Sequence, residues 1–384
     1  MTLRMEKALA QLPGVVERYA RDVAKLDRGL NAAREALAAW GRDLSEGDRA
    51  IAEAMANSPD PYALSCGEPV DAAFPAPPFI PCTVIGSDGS SIEPDRFAAV
   101  PCYVLNTGFA VLPYGVPGEA VLDSLPVIGP EESLDEGEDH GNEGAGPAAW
   151  GVNLRRDLSE FVTGARLAVQ RAANGEVVLL LDGTFFPWDL DSRTVAERTR
   201  RELASRLRDE LELLSFSGDR VSVGAYVSGT RSGDVARSLG VIAAQEGAGW
   251  PARDALVFSR LLADGDRSAL FRAQSRRRAT VEELFPAHQQ VRFFYFRTGE
   301  DIARVEVPAW AASPAGVARL HGALVDQCRR CGGYPRALQE AHEQAVVTMG
   351  DRAQFGRLLD GEASRQGLRA GSNGKHTSKR RRAI

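Results

Sequence analysis

The sequence contains no run of about 18 apolar residues, the length that a membrane-spanning helix needs. Its first residues, Met1 to Lys7, also lack the apolar block of a secretory signal peptide. From these two absences we expect a cytoplasmic protein with no membrane partner. With 44% hydrophobic residues among 384, the chain is nevertheless long and apolar enough to bury a large core.

Cysteine is also scarce, and the five cysteines show no spacing typical of a disulfide framework. Cys328 and Cys331 form a Cys-x-x-Cys pair. No second pair lies at zinc-ribbon spacing, so we expect reduced thiols rather than a zinc site. The Gly-x-x-x-x-Gly-Lys-Ser/Thr loop that binds nucleotide phosphates is missing as well. Movement driven by ATP hydrolysis would therefore need another chain.

Basic residues are concentrated at one end of the chain. The formal net charge is −6, yet residues 365–384 contain seven Lys or Arg residues and no carboxylate. The rest of the chain is therefore strongly acidic, which argues against DNA binding by a broad basic surface. The excess of acidic residues in the rest of the chain is compatible with a site whose carboxylates bind cations.

The clearest strand signal is the apolar run Val177–Leu181, which is followed by Asp182 and a glycine. Such a run predicts a buried strand in a sheet that is covered on both faces. A second copy of the pattern lies upstream, where Thr83–Gly86 leads to Asp88 and another glycine. Open α/β sheets place their working groups at strand ends. Both aspartates are therefore candidate site residues at strand ends, although Asp-Gly is also ordinary turn chemistry.

The sequence predicts a helical arm, a main domain and a tail. Residues 1–57 form the arm, because their apolar residues are spaced three and four apart and so form one apolar stripe along a helix, the seam. This seam needs a partner helix in this chain or in a second subunit. Residues 58–364 form the main domain, with a mobile acidic insertion at about 117–147 that has too few apolar residues to fold. Residues 365–384 form a disordered basic tail.

Strand and helix signals in the main domain predict an α/β fold with a mixed sheet flanked by helices. Residues 97–106 and 108–113 are apolar segments joined by an Asn-Thr-Gly sequence, which predicts a β-hairpin. Helical patterns at about 154–171 and 194–214 flank the central strand. A pair of antiparallel strands followed by alternating helices and strands is the basis of this prediction.

Carboxylates, a tyrosine and a histidine are the candidates for the chemistry of the site. They are Asp88, Glu160, Asp182, Tyr334 and His342. Hard divalent cations prefer oxygen ligands, so carboxylates on rigid elements suit Mn²⁺ or Mg²⁺, and a histidine shifts the preference towards Mn²⁺. Two such ions about 4 Å apart can activate a water and stabilise the leaving oxygen of a phosphodiester.

Several assignments stay open at this point. The alternatives to Glu160 as the third carboxylate are Glu93, Asp95, Asp157 and Asp189. Ser228 and Arg231, which follow a predicted strand, are candidate contacts to DNA phosphates through hydroxyl, amide and guanidinium donors. Asp254 is interpreted as a residue of a helix N-terminus outside the site.

Short motifs occur in a defined order along residues 80–350. They are Asp-Gly-Ser-Ser (Asp88–Ser91), Arg-x-x-x-Glu (Arg156–Glu160), Leu-Leu-Asp-Gly (Leu180–Gly183), Ala-Tyr-Val-Ser (Ala225–Ser228), Asp-Ala-Leu-Val-Phe with a following Leu-Leu (Asp254–Leu262) and Gly-Tyr-Pro-x-x-Leu-x-x-Ala-His (Gly333–His342). Each motif is short, and it is their order that is distinctive. In this order they resemble the NurA nucleases.

This resemblance implies an RNase H-like core and an Mn²⁺-dependent DNA exonuclease of 5′ to 3′ direction with some single-strand endonuclease activity. It also implies a homodimer and a HerA-type hexameric ATPase that drives DNA into the nuclease. By the same resemblance Asp88, Glu160 and Asp182 would be metal ligands. Tyr334 and His342 would lie beside them, and His342 would be a further metal ligand. The expected setting is the processing of DNA ends in repair or phage defence.

Other functions are compatible with the same core. A non-catalytic RNase H-like scaffold that docks a hexameric motor is one alternative, although a scaffold has no need of mutually repelling carboxylates in a crevice. A metal-dependent phosphatase or an RNase is another. Titration with Mn²⁺ distinguishes the scaffold, and comparison of DNA, RNA and small phosphoesters distinguishes the enzymes.

Overall fold

The computed structural model describes residues 4, 5, 9, 11–56, 58–95, 98–130, 147–185, 197–245, 247, 249–274 and 283–368. Several sequence predictions lie outside the described residues: the alternative carboxylate Asp189, residues 131–146 of the acidic insertion and residues 369–384 of the tail.

Runs of helices and runs of strands follow one another along the described chain, and single helices and strands alternate only between residues 147 and 243. In order they are α1 (Leu12–Arg42), α2 (Leu44–Met55), β1 (Tyr62–Ser65), β2 (Cys82–Ile92), β3 (Cys102–Tyr114), β4 (Val121–Pro130), α3 (Pro147–Ala172), β5 (Val177–Asp182), α4 (Glu197–Ser215), β6 (Val221–Val227), α5 (Asp234–Ala243), α6 (Asp254–Phe258), β7 (Phe271–Gln274), β8 (Val291–Thr298), β9 (Asp301–Pro308), α7 (Pro314–Arg330), α8 (Arg336–Ala345) and α9 (Met349–Arg365). The predicted mixed α/β fold is confirmed. Among the described residues, no helix combines the length and the apolar character needed to cross a membrane.

Contacts divide the chain into two compact units. One comprises residues 1–77, 227–280 and 291–307, and the other comprises residues 78–226, 281–290 and 308–384. The domain boundaries drawn from the sequence at residues 57 and 364 stay predictions.

The first unit contains the N-terminal helices and the strands β1, β7, β8 and β9, in that order. Helix α1 packs against α5 and α2, and the seam predicted for α1 is buried from Leu30 to Trp40. Gly29 lies in α1 where a Cβ atom would sit 1.9 Å from the carbonyl oxygen of Gly249. The partner of this part of the seam is therefore the chain itself, and Gly29 permits the close approach.

The second unit is built on five strands in the order β6-β5-β2-β3-β4. Strands β2, β3 and β4 pair antiparallel, whereas β5 pairs parallel with both β2 and β6. Val177–Leu181 is fully or almost fully buried in β5, as predicted. Helices α3 and α8 both pack on β2 and β3, and alternating side chains of these strands meet one helix or the other.

The predicted hairpin at Asn106–Gly108 is wrong, because residues 102–114 form one continuous strand. Asn106 donates from Nδ2 to the carbonyl oxygens of Gln344 and Ala345 at 3.2 and 2.9 Å. A Cβ atom on Gly108 would lie 2.3 Å from the carbonyl oxygen of Ala341. These residues resemble a turn in the sequence, but they serve to dock helix α8.

Part of the predicted acidic insertion is a regular strand. Residues 121–130 form β4, which pairs with β3 from Val121 opposite Val111 to Pro130 opposite Cys102. The acidic residues that motivated the prediction cluster after this strand, from Glu131 onwards. The apolar residues of 121–130 are sufficient for a strand at the edge of the sheet.

Candidate active site

The parallel pairing of β2 and β5 brings Asp88 and Asp182 side by side. The last registered pair of these strands is Ser87 with Leu181, so each aspartate is the next residue of its strand. Because consecutive side chains alternate between the faces of a sheet, the two aspartates belong to the same face. Asp182 ends β5, as predicted, and Gly183 follows with φ 88°.

Asp88 does not end its strand, contrary to the prediction. Strand β2 continues to Ile92 because its pairing with β3 extends beyond its pairing with β5. Asp88 therefore pairs with Gly108 of β3 on one side. On its other side the neighbouring strand β5 ends at Asp182. The end of β5 opens the sheet beside Asp88, which a prediction from β2 alone does not reveal.

Helix α8 carries His342 to the same face of the sheet. The Nδ1 atom of His342 lies 2.7 Å from Oδ2 of Asp88, and the imidazole is 63% exposed. The helix approaches the sheet closely at Gly86 and Gly108, where Cβ atoms would lie 2.2 and 2.3 Å from backbone carbonyl oxygens of α8. Ser90 also donates to the carbonyl oxygen of Ala345 at 2.5 Å. The position of His342 is thus set by backbone contacts and by hydrogen bonds to the end of its helix.

Helix α3 carries Glu160 from the opposite face. The hydroxyl of Ser87 donates to the carbonyl oxygen of Glu160 at 2.9 Å, and Thr107 hydrogen-bonds to Ser159 at 2.8 Å. A Cβ atom on Gly89 would lie 2.5 Å from Oε1 of Glu160. The small residues of β2 therefore let the glutamate approach the sheet close to Asp88.

Two further charged residues of α3 share this region. Arg156 Nη2 donates to Asp157 Oδ1 at 2.8 Å, and Arg156 Nε lies 3.3 Å from Glu160 Oε1. From the sequence, Asp157 is only an alternative to Glu160, and Arg156 is only the first residue of the Arg-x-x-x-Glu motif. The structure brings Asp157 into the site in addition to Glu160. Spacings of three and four residues along a helix, such as 153, 156, 157 and 160, are the signal that groups these side chains.

Tyr334 joins the site through Asp182. Its hydroxyl is hydrogen-bonded to the Asp182 carboxylate, and its ring packs edge-on against Tyr226, with ring centroids 5.5 Å apart. Burial, followed by the charge of Asp182, raises the pKa of the Tyr334 hydroxyl above its ordinary value. The hydroxyl therefore stays protonated at neutral pH and serves as a donor.

The carboxylates repel one another. Burial is the main cause that raises the pKa of Glu160 well above its ordinary value, and Asp157, Asp88 and Asp182 raise it further, while Arg156 opposes them. Burial and then Asp88 likewise raise the pKa of Asp182, against hydrogen bonds from Tyr334 and the Gly183 amide. Raised pKa values of grouped acids are typical of functional sites.

The site residues line one cavity of about 440 Å³. Asp88, Glu160, Asp182 and His342 contribute to its wall, together with Arg156 and Asp157. The rest of the lining is largely apolar, and includes Leu154, Leu158, Phe161, Phe185, Leu203 and Leu207. Four of the five candidate residues thus meet in one concave site, and Tyr334 contacts it through Asp182.

Comparison with known proteins identifies the family. The family model described as the NurA domain matches residues 82–347, which is more than half of the chain. The chain belongs to the NurA family. Its NurA domain includes all the strands and helices that supply the cavity. The chain is therefore a member of a nuclease family.

One solved structure supports this fold, and two others are more distantly similar. The NurA nuclease from Sulfolobus solfataricus is 16% identical to the chain, with 95% of this chain and 98% of that chain covered and a TM-score of 0.52. Endonuclease V from Bacillus subtilis is 11% identical over 74% of this chain and 88% of that chain, with a TM-score of 0.31. LC9-RNase H1 is 14% identical over 49% of this chain and 88% of that chain, with a TM-score of 0.22. Comparison with curated proteins gives no match.

The predicted DNA contacts lie outside this cavity lining. Ser228 and Arg231 are exposed in the segment between β6 and α5 of the NurA chain and belong to the first unit. Asp254 is fully buried and accepts from the amides of Val235 and Ala236 at the start of α5. Asp254 is thus an acid of the first turn of α6 whose side chain caps α5, and it is not among the residues that line the cavity.

Replacing Glu160 by glutamine is expected to raise the melting temperature of the metal-free NurA chain at pH 7. Because the native pKa of Glu160 is raised, the folded state binds its proton more tightly than the unfolded state, so stability falls as the pH rises above the ordinary value of about 4.3. Glutamine removes this loss. The expected gain is on the order of 2–4 °C, as about 1 kcal/mol produces in a larger domain.

The measurement is thermal unfolding of both proteins at pH 4 and pH 7 with a chelator present. The difference should be large at pH 7 and small at pH 4, where the parental carboxyl group is mostly protonated in both states. Glu343→Gln, in the exposed face of α8, serves as the matched control and should change neither value. An equal gain at both pH values would show that repulsion between carboxylates is not the cause.

Proposed function

We propose that this NurA chain is an Mn²⁺-dependent DNA nuclease that degrades DNA from 5′ ends and cuts single strands internally, with Mg²⁺ as the alternative metal. The observation that carries the proposal is the meeting of Asp88, Glu160 and Asp182 in one cavity of an RNase H-like sheet. Hydrolysis of a phosphodiester requires positive charge where negative charge develops on the phosphate. A group of carboxylates supplies that charge by holding metal ions.

The donors of the cavity fit a hard divalent cation by their chemistry. Carboxylate oxygens are its preferred ligands, and a cation would relieve the repulsion that contributes to the raised pKa values of Glu160 and Asp182. Within the described part of the chain, however, no group of three or more His, Cys, Asp or Glu side chains is arranged as a metal cage. Asp88 faces His342, and Glu160 faces Arg156. Binding of a cation requires these carboxylates to exchange partners.

Each residue has a distinct role in the proposed reaction. Asp88, Glu160 and Asp182 would hold the metal, and His342, whose Nδ1 faces Asp88, would present its other ring nitrogen to the metal or to the attacking water. Bound divalent cations activate water and neutralise the leaving oxygen. Tyr334 positions the Asp182 carboxylate through its hydroxyl group and also lies beside the expected phosphate.

The DNA contacts and partners belong to the same proposal. Ser228 and Arg231 contact phosphates, because both are exposed and carry hydrogen-bond donors. A homodimer and a HerA-type hexameric ATPase are proposed on the family resemblance. The missing phosphate-binding loop in the sequence leaves DNA translocation to another chain. The proposed setting is DNA end resection in repair or phage defence, and the cytoplasmic location stays a prediction.

The test compares substrates that are labelled at either end. Linear duplex DNA, single-stranded DNA, closed circular DNA, RNA and a small phosphodiester are incubated with Mn²⁺, with Mg²⁺ or with a chelator. We expect early release of a 5′ label with Mn²⁺, no cleavage with the chelator, and a loss of about two to three orders of magnitude in Asp88→Asn. Addition of a hexameric ATPase of the HerA type then tests the partnership.

The outcomes separate the alternatives. Faster cleavage of RNA or of the small phosphodiester than of DNA would indicate an RNase or a phosphatase instead of a DNA nuclease. A protein that neither cleaves any substrate nor takes up Mn²⁺ in calorimetric titration would contradict the proposal and leave the non-catalytic scaffold. Early release of a 3′ label would reverse the proposed direction.

A further inference from the structure

Arg156 is a positively charged residue within an acidic cavity. Its guanidinium group donates to Asp157 Oδ1 from Nη2 at 2.8 Å and from Nε at 3.2 Å, and its Nε lies 3.3 Å from Glu160 Oε1. Although burial lowers the pKa of this group, the charges of Asp157, Glu160 and Asp88 raise it. Arg156 therefore interacts with carboxylates from both α3 and β2.

Nitrogen donors of the protein itself contact two of the proposed metal ligands. Arg156 faces Glu160, and His342 faces Asp88. The described residues bring four carboxylates to one cavity without a group of three donors placed to hold a metal ion, and two of the four carboxylates have these other partners. In this arrangement Arg156 supplies part of the positive charge that a divalent cation would otherwise provide.

The accessibility of Arg156 differs from that of its partner. Its side chain is 32% exposed, whereas that of Glu160 is 10% exposed. A guanidinium group pairs in a bidentate manner with carboxylates and with phosphates, so the same side chain can serve either partner. A DNA phosphate that enters the cavity can reach Arg156 more readily than it can reach the glutamate.

We propose that Arg156 exchanges partners when the site is loaded. Without a divalent cation it neutralises Glu160 and Asp157. Once Glu160 ligates a cation, the guanidinium group is released from it and binds a phosphate of the DNA next to the reacting one. This inference rests on the proposed function, and it adds a phosphate-binding residue and a competitor of the metal to that function.

Exchange predicts opposite changes in two affinities. Removal of the guanidinium group leaves Glu160 and Asp157 without a competing cation, so the protein should bind Mn²⁺ more tightly. It also removes a phosphate contact, so the protein should bind DNA more weakly. A residue with a purely structural role would weaken both interactions or neither, because a disordered site holds neither the metal nor the DNA.

The test uses the full-length parent, Arg156→Gln and Arg156→Lys. Mn²⁺ binding is measured by calorimetry without DNA, and DNA binding is measured by fluorescence anisotropy with Ca²⁺ under conditions where no cleavage is detected. In Arg156→Gln we expect the Kd for Mn²⁺ to fall about tenfold and the Kd for DNA to rise about tenfold, each a change of about 1.4 kcal/mol. Arg166→Gln, whose arginine pairs with Glu210 on another helix, is the control and should match the parent.

Each result decides the inference. Arg156→Lys keeps the charge but loses the bidentate donor. Its Mn²⁺ affinity should therefore stay near that of the parent, while its DNA affinity should fall. If Arg156→Gln does not fold, Arg156→Lys is the variant that tests the exchange. Unchanged or weaker Mn²⁺ binding by Arg156→Gln, or DNA binding equal to that of the parent in both variants, overturns the exchange. Failure of the parent to bind Mn²⁺ or to cleave DNA would instead overturn the proposed function.

Discussion

Replacement of Asp182 by asparagine is expected to slow DNA cleavage about a thousandfold, which corresponds to about 4 kcal/mol of transition-state stabilisation. Asparagine keeps the size of the side chain and can still accept the hydrogen bond from Tyr334. It removes the negative charge that lies beside Asp88 where the pairing of β2 and β5 ends. The effect should therefore appear in the reaction and not in the fold.

The measurement is the initial rate of label release from linear duplex DNA at saturating Mn²⁺. Circular dichroism and thermal unfolding check the fold, and the melting temperature of Asp182→Asn should equal or exceed that of the parent because repulsion between acids is relieved. Asp326→Asn is the matched control, since Asp326 pairs with Arg330 on α7, and it should cleave at the parental rate. Full activity of Asp182→Asn would remove Asp182 from the catalytic group.

Replacement of Gly108 by alanine is expected to lower the free energy of unfolding by about 3 kcal/mol. A Cβ atom at this position would lie 2.3 Å from both the carbonyl oxygen of Ala341 and the amide nitrogen of Ala345. These are backbone atoms of α8, which cannot rotate away as a side chain can. The helix must shift as a body, and because it carries His342, cleavage should fall along with stability.

Chemical denaturation followed by circular dichroism measures this change. Gly356→Ala in α9 is the matched control, because no heavy atom lies within 4 Å of a Cβ atom built there. That substitution should stabilise the protein by up to about 1 kcal/mol, since alanine is a better helix former than glycine. Changes of the same sign in both variants would indicate that helix docking at Gly108 is not the cause.

The sequence by itself determined the class of fold, the central strand and the family. Val177–Leu181 is buried in β5 and Asp182 ends it, because a run of apolar residues marks a buried strand without reference to the rest of the chain. The order of short motifs likewise identified the NurA family, and it nominated the carboxylates, the tyrosine and the histidine that the structure brings together.

Only the tertiary structure decided how these residues meet. Asn106 and Gly108 look like turn residues locally, yet they dock α8, and Asn106 bonds a carbonyl group 238 positions away in the sequence. Asp88 lies beside Asp182 because β2 pairs in parallel with β5, and Glu160 lies close to Asp88 because α3 rests on the small residues of β2. Local patterns report the preferences of neighbouring residues, whereas these contacts depend on which distant segment occupies the space beside them.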